Sequence, residues 1–124
     1  MPHKIMVIDD EENMCQILKQ LLESEGYVVE TSTNSPAALD IVLSDHFNLV
    51  ISDVSMPVLS GIDLLKSIKS AKPNLPVIFM TGQDMDEVMT RALQNGLDGF
   101  IEKPFNIQTV FDIVREKLNS PSAN

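Results

Sequence analysis

Cysteine occurs once in the 124 residues, at Cys15, so no disulfide can close within the chain. That usage suits a reducing compartment, and the cytoplasm is the expected location. Basic residues are scarce: nine Lys and Arg stand against eighteen Asp and Glu, for a formal charge of −9, and no basic run offsets it. A polyanion would be repelled, so neither direct nucleic-acid contact nor an anionic membrane surface is expected. Long hydrophobic runs are missing too. Ile5 to Ile8 is far below the roughly 18 residues of a membrane span and is not a signal-peptide core. His3 and His46 have no metal-ligating partner at useful spacing and read as surface residues. What is there is 44% hydrophobic, enough to pack one core without disulfides or structural metals.

Short β-rich runs lie at 4–8, 27–31, 48–52, 76–80 and 98–102, separated by segments with helical apolar spacing. The first helix carries Met14, Ile17, Leu18, Leu21 and Leu22 on one face and stops at Gly26. In the second, Ser35 reads as the N-cap and Pro36 as the first helical residue, with Ala38, Ile41 and Val42 inward. The third runs through Leu64, Leu65 and Ile68 and ends before Pro73. The fourth uses Met85, Val88, Met89, Ala92 and Leu93 and stops at Asn95-Gly96; the fifth uses Ile107, Val110, Phe111, Val114 and Leu118. The methionines are mostly core filler, with Met85 and Met89 read as core ahead of an output face, and Cys15 is a structural thiol. Five strand-then-helix repeats predict an α/β fold, a doubly wound five-stranded parallel sheet of order 2-1-3-4-5 in the flavodoxin-like (βα)5 arrangement. The 27–31 run is mixed in polarity and fits an edge. Residues 1–119 make one domain, and 120–124 a disordered tail or the start of a linker.

In such sheets ligands bind beyond the carboxyl ends of the strands, where the strand order reverses, here between the first and third strands. The residues expected there are Asp9-Asp10, Asp53, Thr81 and Lys103. Three converging carboxylates repel unless a cation sits among them, and oxygen-only ligands select a hard ion, Mg²⁺ above all with Mn²⁺ as substitute. A carboxylate beside a divalent cation, an ammonium and a hydroxyl suits in-line phosphoryl transfer. Asp53 is then the nucleophile, Asp9 and Asp10 hold the metal with it, and Lys103 and Thr81 contact phosphoryl oxygens. Taken alone, Asp53 reads equally well as a turn cap, the Asp9-to-Glu12 cluster and Thr81-Gly82 read better as a helix N-terminus and a turn, and Glu11 and Glu12 read as helix-terminal acids. Their joint occurrence at four strand ends is what points to a site.

Met6-Val7-Ile8-Asp9-Asp10-Glu11-Glu12, Leu49-Val50-Ile51-Ser52-Asp53 with Met56-Pro57 and Gly61 behind it, Val77-Ile78-Phe79-Met80-Thr81-Gly82, and Gly99-Phe100-Ile101-Glu102-Lys103-Pro104-Phe105 resemble, in order and spacing, the receiver domain of two-component response regulators. The resemblance covers nearly the whole chain. It implies an aspartyl phosphate on Asp53 donated by a sensor histidine kinase or a phosphotransfer protein, dependence on Mg²⁺, a cis Lys103-Pro104 bond, and a backbone carbonyl from Ser55 toward the metal. It also implies a switch through Thr81 and Phe100 that repacks the fourth helix, fifth strand and fifth helix to act on an output domain or downstream protein, with a phosphorylation-dependent homodimer as an open option. Such a protein is a signalling switch and not a turnover enzyme. Two features depart from the family pattern: phenylalanine at 100, where tyrosine is frequent, and Leu97, where a small residue is usual. Met56-Pro57 and Gly61 shape the loop behind Asp53.

Other functions remain to be weighed. A haloacid-dehalogenase-type phosphohydrolase also forms an aspartyl phosphate but wants Asp-x-Asp after the first strand and a cap insertion. A flavodoxin-type flavin site wants hydroxyls and amides where Asp9-Asp10-Glu11 would repel a phosphate. A pseudo-receiver interaction module would not need Asp10, Asp53, Thr81 and Lys103 together.

Overall fold

The computed structural model describes residues 2–54, 56, 59–82 and 86–119. Five strands, β1 (Lys4–Ile8), β2 (Val28–Ser32), β3 (Leu49–Asp53), β4 (Val77–Thr81) and β5 (Gly99–Glu102), alternate with α1 (Glu12–Glu23), α2 (Ser35–Ser44), α3 (Gly61–Ala71), α4 (Asp86–Gln94) and α5 (Ile107–Asn119). All neighbouring pairs run parallel, in the order β2-β1-β3-β4-β5, as the strand and helix alternation predicts. Four of the five strands start one residue later than the apolar runs suggest. Asp53 and Thr81 therefore close β3 and β4 instead of following them.

A central parallel strand is covered on both faces, which is why Ile5, Met6, Val7 and Ile8 are all fully buried. Alternation along the strands divides the core in two. Met6, Ile8, Val50, Val77 and Phe79 pack beneath α2, α3 and α4 through Val42, Leu64, Leu65, Ile68 and Ala92. Ile5, Val7, Leu49, Ile51, Ile78, Met80 and Ile101 pack beneath α1 and α5 through Cys15, Leu18, Leu22, Val110 and Val114. Leu97 is buried in the first of these cores, which accounts for a large residue at that position.

The helix faces are narrower than the apolar pattern suggests. Ile17, Ile41, Leu93 and Ile107 were expected inside and are exposed, whereas Cys15 turns inward. Asn34, not Ser35, caps α2: its side chain accepts a hydrogen bond from Ala37 N at 2.9 Å. Ser35 begins the helix, buried, and its hydroxyl donates to Leu59 O at 2.7 Å. Gly26 and Gly96 take φ of +91° and +92° where the first and fourth helices stop, a conformation that favours glycine. Asp98 lies outside β5. Its carboxylate accepts from Lys69 Nζ at 2.7 Å and Val77 N at 2.8 Å, tying α3 to the starts of β4 and β5. Met85 and residues 120–124 fall outside the described residues.

Candidate functional site

Register places the acidic group. Ile8 pairs with Ser52, so the next position of each strand brings Asp9 beside Asp53. Alternation turns both toward the α1 and α5 side, the side that Met80, the partner of Asp53, faces. Asp10 follows directly. Ligand oxygens of Asp9, Asp10 and Asp53 all lie within 4.8 Å of one another, with Asp9 buried, Asp53 half-buried and Asp10 exposed. Three carboxylates at that spacing, with no nitrogen or sulfur donor among them, fit a hard divalent cation such as Mg²⁺. The exposed side at Asp10 leaves room for waters and an incoming group.

Charge balance comes from the residue that follows the last strand. Lys103 Nζ lies 3.4 Å from Asp9 Oδ2 and 3.7 Å from Asp53 Oδ1, spanning the two carboxylates. Its own N–H donates to Thr81 O at 2.7 Å, which pins the residue after β5 to the end of β4. The Lys103-Pro104 peptide bond is cis, as the resemblance implies. Burial pushes the Asp9 carboxyl above its ordinary value. The Asp53 charge adds to the rise, while the Glu11 N–H and Lys103 oppose it. The Glu11 N–H donates to Asp9 Oδ1 at 2.9 Å. That contact closes an Asx turn from Asp9 to Glu11 and fixes the carboxylate, a role missed when Glu11 is read only as a helix-terminal acid. Cys15 supports the same loop: its thiol donates to Asp9 O at 3.4 Å.

Thr81 and Phe100 belong to the other face. Thr81 is buried and continues the row of Phe79, and Phe79 pairs with Phe100, so both switch candidates stand on the side of α3 and α4. Phe100 is 45% exposed. Ser55, whose carbonyl was expected to face the metal, lies outside the described residues. The structure thus brings Asp9, Asp10, Asp53 and Lys103 together and joins Thr81 to them through the backbone. A feature absent from the sequence reading lies alongside: an apolar hollow of about 580 Å³ lined by Met14, Ile17, Lys103, Pro104 and Phe105. Ile17 was assigned to the core, which hid it.

Comparison with known proteins gives concordant results. The family model of the response regulator receiver domain matches residues 5–115. A CpxR homolog of Haemophilus influenzae, a transcriptional regulatory protein, is 38% identical over 98% of this chain and 54% of its own length. The transcriptional regulatory protein CpxR of Escherichia coli is 39% identical over 94% of this chain and 49% of its own. The chain thus spans about half the length of these curated relatives. Among solved structures, a CheY-like response regulator receiver domain protein from Methanospirillum hungatei superposes with a TM-score of 0.92 at 30% identity, covering 96% of this chain and 95% of that one. The corresponding domain from Clostridium thermocellum gives 0.90 at 34% identity, with 94% of each chain covered.

Proposed function

The chain belongs to the response regulator receiver domain family, and from that premise we propose that Asp53 is its phosphoacceptor. Response regulators are signalling proteins that work between histidine kinases and output domains. The observation that carries the assignment is the ammonium of Lys103 set between Asp9 and Asp53, at the point where three carboxylates converge.

A carboxylate oxygen of Asp53 attacks phosphorus in line. The new O–P bond forms as the donor's bond to phosphorus breaks, and the donor keeps the electron pair. Asp9, Asp10 and Asp53 are the side chains that would hold Mg²⁺, or Mn²⁺ in its place, and the family resemblance would add the Ser55 carbonyl as a further oxygen. When bound, the cation neutralises the carboxylates and the phosphoryl oxygens. Asp9 is kept in place by the Glu11 N–H. Lys103 presents its charge to the phosphoryl group once Asp53 is esterified, and the Thr81 hydroxyl supplies a second contact. Movement at Thr81 passes along its row to Phe100 and to the α4, β5 and α5 face, which acts on an output domain, a downstream protein or a second copy of the chain. Phenylalanine at 100 makes this readout one of packing, because no phenol hydroxyl is available.

The phosphodonor is a sensor histidine kinase or a phosphotransfer protein, and the apolar hollow beside Lys103 is where such a donor makes contact. By likeness to the CpxR-type relatives, the output is transcription, through a partner or domain with its own basic surface. The location is cytoplasmic, consistent with the absence, among the described residues, of any helix long and apolar enough to cross a membrane. The test is direct. Acetyl phosphate or beryllofluoride with Mg²⁺ is expected to modify the wild type and not Asp53→Ala, read by intact mass and NMR. Modification that persists in the variant would move the phosphoacceptor elsewhere.

A further inference from the structure

Gly61 opens α3 and is buried against the end of β3, and its N–H donates to Val54 O at 3.1 Å. A Cβ at this position would lie 2.8 Å from Val54 Cα, 2.9 Å from Val54 O and 3.1 Å from Asp53 O. All three are backbone atoms, so no rotamer change relieves the overlap, and either α3 or the strand end must shift. From the other side, Val54 N–H donates to Met80 O of β4 at 3.3 Å. The main chain immediately after Asp53 is therefore clamped between a helix start and a neighbouring strand. Ser52 Oγ adds a donor to Asp53 O at 2.9 Å.

From this close approach we infer that Gly61 is a positioning residue for Asp53: the bare helix start sets the depth at which the strand end, and with it the carboxylate, meets Asp9, Asp10 and Lys103. The inference rests on the assignment of Asp53 as phosphoacceptor and adds the device that places it. Restoring ordinary contact distances of about 3.5 Å around a new methyl moves the Asp53 backbone by roughly half an ångström. In-line transfer loses about a hundredfold for a misplacement of about 1 Å, so a loss of about tenfold is expected. Gly99 is the matched control. A Cβ there meets side-chain atoms of Ile113 and Lys117, the nearest being Ile113 Cδ1 at 3.1 Å and Lys117 Cε at 3.2 Å, and no backbone, at the start of β5 and away from the strand ends.

The test compares wild type, Gly61→Ala, Gly99→Ala and Ser60→Ala. The last removes the N-cap of α3, whose hydroxyl accepts from Asp63 N at 3.2 Å, without adding an atom against Val54. Two quantities are read: acyl-phosphate formation from acetyl phosphate at saturating Mg²⁺, and amide hydrogen exchange of Val54 in metal-free protein. Gly61→Ala is expected to slow phosphorylation about tenfold and to speed Val54 exchange, Ser60→Ala to do both more weakly, and Gly99→Ala to stay within about twofold of wild type on each. Should Gly61→Ala not fold, Ser60→Ala decides. Phosphorylation and exchange in Gly61→Ala or Ser60→Ala indistinguishable from Gly99→Ala would overturn the inference. Wild type that takes up no phosphoryl group on Asp53 would instead sink the functional assignment, and the exchange measurement would still judge the clamp.

Discussion

Lys103 is placed to do two things that pull in opposite directions. Its ammonium offsets the Asp9 and Asp53 charges, and the same position competes with any cation those carboxylates attract. Lys103→Ala is therefore expected to leave Mg²⁺ affinity unchanged or raised, while beryllofluoride no longer shifts the amide signals of Leu93 and Phe100. NMR titration reads both, and a tenfold loss of Mg²⁺ affinity would show that the lysine helps build the metal site. Cys15 answers to the same loop from beneath. Burial pushes its thiol from the ordinary 9.0 to about 11, with the Asp9 charge adding to the rise. The folded state therefore holds this proton more tightly than the unfolded chain. The resulting stability is fully present below pH 9 and is lost as pH rises through about 11. At pH 8 the thiolate fraction is roughly a hundredfold lower than for an unshifted cysteine, and the side chain has no exposed surface. Ellman's reagent should label it slowly in native protein and promptly in urea. Fast native labelling at pH 8 would mean that the loop around Asp9 opens.

Helix α1 shows how much an element's own sequence reveals. Its apolar residues suggest a broad inward stripe from Met14 to Leu22, yet the fully buried positions are Cys15, Leu18 and Leu22, a narrower line. Ile17 sits on the flank at 49% exposure, where it lines the hollow beside Lys103 with Pro104 and Phe105. Periodicity reports which residues are apolar and not which neighbour covers them. That depends on the β5 to α5 connection, about ninety residues away along the chain. If a phosphodonor protein seats on this hollow, Ile17→Glu should slow transfer from that donor at least tenfold and leave phosphorylation by acetyl phosphate at the wild-type rate, because the acidic group is untouched. Equal slowing with both donors would place Ile17 in the fold and not in recognition. The site itself was more legible than the helix faces. Each of Asp9, Asp10, Asp53, Thr81 and Lys103 follows an apolar run, and in a parallel sheet those run-ends must share one rim. The one-residue shift of the strand bounds was not legible, since ladder partners such as Asp53 with Met80 set where a strand stops. Nor was the α2 cap, where Asn34 and Ser35 compete for one role and the burial of Ser35 against Leu59 decides between them.

For the molecule as a whole, the acidic rim is a local concentration of a general excess, a formal charge of −9 over 124 residues. The sheet forces Asp9 into a fully buried position beside Asp53, and burial raises the proton affinity of its carboxyl. Folding without a cation thus works against its own strand ends. A divalent ion that binds only the folded form relieves this by mass action. At about a hundredfold excess over Kd it adds about 2.7 kcal/mol. For a domain of this size that is a rise in Tm of about 10 °C. Diffuse screening of the net charge would also stabilise the fold, but it would do so for any salt and for any variant. The two contributions separate in a thermal melt. MgCl₂ should raise Tm well beyond NaCl at matched ionic strength, EDTA should reverse the gain, and Asp10→Asn should lose most of it while keeping the response to NaCl. An Mg²⁺ increment in Asp10→Asn equal to that of wild type would mean that the cation acts on the overall charge, and that the three carboxylates are not its site.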